Sequence, residues 1–130
     1  ERLKSHQQNG DLVVLVSAGP LPLIQRIAFE YGVEHVVGTR LETKNNLYTG
    51  HSIKPACIGE YKVELSKVYL AKNNLEIDFE NSAAYADSIT DLPMLDMVGK
   101  PVITYADDEL KITARLRRWE VFPVENPIGG

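Results

Sequence analysis

Cysteine, histidine and long apolar runs are scarce in this chain, and each scarcity excludes a class of site. The single cysteine, Cys57, cannot form an internal disulfide, so nothing implies an oxidising compartment and we expect a cytoplasmic protein. Three scattered histidines and one cysteine match no familiar zinc spacing. No apolar run is long enough to span a bilayer, so no membrane span is expected. The net charge of -4 argues against a nucleic-acid partner.

The two common nucleotide-binding loops are also missing from the sequence. No Gly-x-Gly-x-x-Gly follows a predicted strand, and no Gly-Lys-Ser/Thr loop is present. A nucleotide-binding α/β domain is therefore a weak hypothesis for this chain.

The composition of the 130-residue chain, with 44% apolar and 25% charged residues, is ordinary for a globular protein. Short β-branched runs alternate with segments of helical periodicity, which predicts a parallel sheet with helices on both faces. An asparagine-rich turn at residues 44–46 predicts a β-hairpin. The predicted strands cover residues 11–17, 33–41, 83–87, 101–104 and 119–122, and the predicted helices cover 21–31, 60–72, 91–97 and 108–118. Apolar residues at helical spacing are predicted to face inward in three of the helices: Ile24, Ile27, Ala28 and Tyr31; Tyr61, Leu65, Val68 and Tyr69; and Leu110 and Ala114.

Two carboxylates, Asp87 and Asp91, follow the predicted strand at residues 83–87. The carboxyl ends of strands are where open α/β sheets place their ligands, and carboxylates suit Mg²⁺. The alternative is that Asp87 is only a turn residue and Asp91 only a helix N-cap. From this pair alone, the two interpretations are equally supported.

Two further segments carry groups that suit a phosphate. Ser17, with the backbone amides of Ala18 and Gly19, is predicted to lie in a tight turn before a helix, which favours anion binding. Lys62 lies in the first turn of its predicted helix, where its charge opposes the helix dipole. A cap at Ser17 and a solvated lysine at position 62 are the simpler alternatives. Taken together with the aspartates, these residues suggest phosphoryl transfer.

With these residues in this order, the sequence resembles the haloacid dehalogenase (HAD) superfamily of hydrolases, in the subclass that contains phosphoserine phosphatase. LVVLVSAG resembles the second family motif, GEYKVELSKVYL the third, and YADSITDLPML the fourth. LETKNNLYTG resembles the small hairpin of this subclass, and VGKPVITYADDELKITARLRRWEV its closing strand, helix and strand. Their order and spacing agree over nearly the whole chain.

The resemblance implies a three-layer, Rossmann-like fold and a role for each matched residue. Ser17 and the Ala18 amide would bind the phosphoryl group, and Lys62 would neutralise it. Asp87 would bind Mg²⁺ directly, and Asp91 would hold metal-bound water or orient Lys62. The implied substrate is a small phosphomonoester, hydrolysed through an aspartyl-phosphate intermediate.

The family nucleophile belongs to an Asp-x-Asp motif on a central first strand, and neither this motif nor the helical cap occurs in the 130 residues. We therefore expect a partial core domain spanning residues 1–130: the end of a preceding helix at 1–9, the core at 10–122 and a flexible tail at 123–130. The missing N-terminal segment, or a second chain in its place, would complete the enzyme. The alternative is a non-catalytic phosphate- or metal-binding regulatory module of the same fold.

Overall fold

The computed structural model describes residues 2–123, which divide into two compact units at the boundary between Cys57 and Ile58. The predicted tail lies almost wholly outside the described residues. The first unit contains helices α1 (Arg2–Gln8) and α2 (Leu21–Glu30) and strands β1 (Val14–Pro20), β2 (His35–Thr39), β3 (Leu41–Lys44) and β4 (Leu47–Ser52). The second contains helices α3 (Glu60–Lys72), α4 (Leu92–Asp96) and α5 (Asp108–Arg117) and strands β5 (Ala83–Ala86), β6 (Lys100–Ile103) and β7 (Glu120–Val121).

Both units contain parallel strand pairs and helices, which confirms the predicted α/β class. β1 pairs with β2 in parallel, and β5, β6 and β7 form a parallel three-stranded sheet in that order. None of the helices described here is long and apolar enough to cross a membrane.

The predicted hairpin is confirmed as the antiparallel pair β3–β4. Its two turn residues, Asn45 and Asn46, have φ angles of 51° and 65°. A two-residue turn with both φ values positive matches the right-handed twist of the strands, and asparagine tolerates this conformation better than most residues.

Each unit has its own apolar core. In the first, α2 buries Ile24 and Ala28 against Val33 and Val36, whereas the predicted inward residues Ile27 and Tyr31 are exposed. In the second, the strand ends and the inner faces of α4 and α5 meet around five buried side chains: Ala86, Leu95, Ile103, Leu110 and Ala114. This core holds the ends of β5 and β6 in place.

Helix α3 spans the predicted residues, but it presents a different face from the one expected. The predicted inward stripe included Tyr61 and Val68, both of which are exposed. The buried positions are instead Ser66 and Leu70, which lie four and eight residues after Lys62. The inward face is therefore the face that carries Lys62.

Candidate functional site

Asp87 lies immediately after β5, at the carboxyl end of the three-stranded sheet, and its side chain is exposed. The backbone N–H of Thr104 donates to the carbonyl of Ala86 at 2.9 Å, so the ends of β5 and β6 remain paired up to this point. The chain then enters a 3-10 turn, Ile89–Asp91, which leads directly into α4. This geometry places the first predicted carboxylate at a sheet edge open to solvent.

Asp91 is buried, with 5% of the residue exposed, and its partner is Lys62. The Nζ of Lys62 lies 2.7 Å from Oδ1 of Asp91, and the exposed fractions of the two side chains are 13% and 7%. Asp91 precedes α4 in the N-cap position, yet its side chain caps no backbone N–H there. The interpretation of Asp91 as a simple N-cap is therefore wrong, as is that of Lys62 as a solvated lysine.

The pairing leaves one oxygen incompletely satisfied. The ammonium contacts Oδ1 of Asp91, but within the described chain this buried atom accepts no hydrogen bond of ordinary angle. A buried carboxylate is costly unless it is paired and hydrogen-bonded. This oxygen has capacity for a further donor, such as a bound water molecule.

Lys62 reaches Asp91 because of the way α3 begins. Gly59 occupies the N-cap position with a φ of 56°, a conformation that glycine adopts without strain, and the Lys62 amide donates to its carbonyl at 3.1 Å. The position opposes the helix dipole, so the buried carboxylate supplies the compensating charge.

The turn after β5 is tied to the start of α5 by Asp107. Its carboxylate accepts from the Ile89 N–H at 3.0 Å and from the Leu110 N–H at 2.9 Å. These backbone donors, Ile89 first, hold the pKa of Asp107 below its ordinary value, with a smaller contribution from the Ser88 hydroxyl; burial opposes the shift.

Ser17 and Ala18 belong to the first unit, and their local geometry differs from the predicted turn. β1 continues through them to Pro20, with an irregular register between Val16 and Pro20. The Gly19 N–H donates to the Ser17 Oγ at 3.1 Å, so this amide is already occupied. The expectation of two available amides, at Ala18 and Gly19, is therefore wrong for Gly19.

Thr39 fixes the position of this segment within the first unit. Its hydroxyl donates to the Ala18 carbonyl at 2.7 Å and accepts from the Cys57 N–H at 3.0 Å. The close approach also requires Gly38, because a Cβ there would lie 3.2 Å from the Gly19 carbonyl oxygen. The segment around Ser17 is thus rigidly held.

The available ligands fit Mg²⁺ better than a metal that needs a full protein cage. Within residues 2–123, no group of three or more His, Cys, Asp and Glu side chains is placed to hold a metal ion. Mg²⁺ commonly takes one or two protein carboxylates and completes its shell with water and phosphate oxygens. Asp87 can supply one such carboxylate, and the incompletely satisfied oxygen of Asp91 can accept from metal-bound water.

Sequence reasoning singled out Ser17 and Ala18 in the first unit and Lys62, Asp87 and Asp91 in the second. It missed one supporting residue in each unit. Asp107 and Thr39 were not singled out as supporting residues, because their bonds span 18 or more residues and leave no local pattern. The only signal for Asp107 was an acidic residue before a helix, which indicates a cap but no second bond.

Curated relatives with phosphatase names match almost the whole chain. A "Probable phosphatase" of Mycobacterium tuberculosis is 33% identical over 97% of this chain and 43% of its own length. A histidinol-phosphatase of Neisseria meningitidis is 31% identical, covering 92% of this chain and 54% of the relative. A phosphoserine phosphatase of M. tuberculosis is also 31% identical, at 93% and 39% coverage. The chain therefore spans about half, or less, of each relative.

The structural comparison agrees with the sequence comparison. A crystal structure of a Bordetella pertussis protein of unknown function superposes with a TM-score of 0.87 at 32% identity, covering 92% of this chain and 54% of that one. The family model for haloacid dehalogenase-like hydrolases matches residues 1–96. The chain belongs to the haloacid dehalogenase-like hydrolase family, as its motifs indicated.

Proposed function

We propose that this chain supplies the phosphate- and metal-binding part of a Mg²⁺-dependent phosphomonoester hydrolase. The observation that carries the proposal is the buried ion pair of Lys62 and Asp91, in which Asp91 lies four residues along the chain from the exposed Asp87 at the end of β5. Phosphoryl transfer depends mainly on positioning and on neutralising charge, and these side chains offer a fixed cation and carboxylates. The phosphatase names of the relatives support the same reaction.

Each residue has a proposed role in this reaction. Lys62, held by Asp91, neutralises an equatorial oxygen of the transferring group. Ser17 and the Ala18 amide bind further phosphoryl oxygens. Asp87 ligates Mg²⁺, and Asp91 also accepts from metal-bound water. Bound Mg²⁺ would offset phosphate charge.

The attacking carboxylate is proposed to come from outside these 130 residues. No Asp-x-Asp occurs in the sequence, and the candidates most like it, Asp107-Asp108 and Asp91 to Asp96, lie in the wrong order and context. An aspartate on a preceding strand, from the same protein or a second chain, would form the aspartyl-phosphate that water hydrolyses. The substrate is proposed to be a small phosphomonoester. We also propose a cytoplasmic location, since a single cysteine gives no indication of an oxidising compartment.

The proposal is tested with Lys62→Met in the full-length parent protein, assayed with Mg²⁺ against phosphoserine, histidinol phosphate and an aryl phosphate. We expect wild type to hydrolyse at least one substrate and the variant to lose about 100- to 1,000-fold in kcat, the usual effect of removing one charge-stabilising donor. Lys72→Met, at the other end of α3, is the matched control and should keep full activity.

Lys62→Arg distinguishes a loss of catalysis from a loss of folded protein, because it keeps a positive charge next to Asp91. Guanidinium geometry does not reproduce a point charge, so this variant should fold normally and still lose activity. A Lys62→Met protein with wild-type kcat would refute the assigned role. A parent protein without phosphatase activity would favour the alternative, a non-catalytic binding module.

A further inference from the structure

Asp107 clamps both sides of the turn that follows β5. Its backbone N–H donates to the Asp87 carbonyl at 2.9 Å, and its carboxylate accepts from the Ile89 N–H at 3.0 Å. The two bonds close a ring around residues 87–89. The carbonyl of Asp87 and the amide two residues later are therefore both fixed from one residue on a different loop.

The clamp is separate from the capping of α5. One carboxylate oxygen accepts from the Leu110 N–H, which is an ordinary N-cap bond three residues along the chain. The other oxygen reaches Ile89, 18 residues earlier, and contributes nothing to the helix. A residue required only as a cap would not need this second bond.

Asp78 shows what a purely local cap looks like in the same unit. Its carboxylate accepts from the backbone and side-chain amides of Asn81, at 3.4 and 2.7 Å, and both bonds stay within a single turn. Asp78 and Asp107 therefore share residue type, exposure and capping role, and they differ in the bond to the turn after β5.

From this geometry we infer that Asp107 is a positioning residue for the Asp87 carboxylate and sets the affinity for Mg²⁺. The inference rests on the proposed function, because Asp87 is the proposed ligand. A ligand held by neighbouring hydrogen bonds binds its metal more tightly, and the loss of such support typically weakens metal binding about 10- to 100-fold. The backbone on both sides of Ser88 is the part that Asp107 fixes.

The experiment compares Asp107→Asn with Asp78→Asn in the full-length parent protein, with Mg²⁺ alone titrated by calorimetry. Asparagine keeps one acceptor oxygen and replaces the other with an NH₂ donor, so it cannot accept from Leu110 and Ile89 together. We expect the oxygen to stay with the Leu110 cap, which is the local bond, and the bond to Ile89 to be lost. We expect the Mg²⁺ dissociation constant to rise about tenfold for Asp107→Asn and to change less than twofold for Asp78→Asn. Amide hydrogen exchange at Ile89 should accelerate only in the first variant.

The possible outcomes distinguish a failure of this positioning role from a failure of the proposed function on which it rests. Wild type that binds no Mg²⁺ refutes the proposed function, and the inference fails with it. Wild type that binds Mg²⁺, with Asp107→Asn equally tight, refutes the positioning role alone. An equal loss in Asp78→Asn would show a general effect of removing a cap and would also overturn the inference.

Discussion

At the scale of single residues, the site is defined by polar groups whose partners lie far away in sequence. Lys62 and Asp91 are separated by 29 positions and meet in a largely buried ion pair. The resemblance to the family identified both residues and left two roles open for Asp91: holding metal-bound water, or orienting Lys62. The sequence alone could not decide whether Lys62 reaches Asp91, because packing determines which face of α3 points inward.

Asp107 gives a pH dependence whose direction follows from its bonds. Backbone donors at Ile89 and Leu110 lower its pKa from 3.8 in the folded protein, so folding favours the ionised carboxylate. This stabilisation is fully present above the unfolded-state pKa and is lost as the pH falls towards the folded-state pKa. The free energy of unfolding of wild type should therefore exceed that of Asp107→Asn at pH 7, and the difference should shrink below about pH 4.

Urea unfolding at several pH values, from 7 down to 3, measures this difference directly. Asp78→Asn serves as the comparison, because that residue caps a turn without the second backbone bond. A difference between wild type and Asp107→Asn that stays constant across the whole range would contradict the assignment.

At the scale of elements, the apolar pattern predicted the bounds of the helices and strands well, but it predicted less well which face of each helix is buried. The bounds of α3 agree with those predicted, yet its predicted stripe of Tyr61 and Val68 is exposed. The reason is that a polar residue, Lys62, occupies the buried face, and periodicity counts only apolar residues. In α5, where no buried ion pair intervenes, the predicted inward residues Leu110 and Ala114 are both buried.

Helix α5 therefore offers a matched pair of leucines. Leu110 is fully buried, whereas 80% of Leu116 is exposed. We expect Leu110→Ala to lower the free energy of unfolding by about 2–5 kcal/mol, since it leaves a cavity in the core of the second unit. Leu116→Ala, with the same change in helix propensity, should alter it by no more than about 0.5 kcal/mol.

Chemical denaturation of both variants tests this assignment of the helix face. Similar values for the two substitutions would mean that α5 packs on a different face from the one described.

At the scale of the whole molecule, alternation of strands and helices was enough to predict the α/β class and the hairpin. It could not predict that β1 is irregular beyond Val16, because that distortion depends on Gly38 and Thr39 of the neighbouring strand. The family motifs carried the functional assignment, since each polar residue alone has a simpler structural explanation.

The proposal that this chain holds the phosphate- and metal-binding residues but not the nucleophile predicts how the chain behaves by itself. The 130-residue chain with Mg²⁺ should show no turnover of small phosphomonoesters, because the proposed attacking aspartate lies outside it. Addition of a separate polypeptide that carries the proposed Asp-x-Asp strand should restore hydrolysis, measured as phosphate release. Turnover by the chain alone would contradict the proposed mechanism, in which the nucleophile comes from outside these 130 residues.

The buried setting of the Lys62–Asp91 contact also bears on how the protein responds to ionic strength. Mobile ions screen exposed pairs such as Arg26–Glu30 readily, but they penetrate poorly to a pair with side chains 13% and 7% exposed. Raising the salt concentration should therefore weaken the attraction of a charged substrate from solution while leaving the local charge arrangement intact. Inhibition by salt would then report on encounter with the substrate rather than on damage to the site.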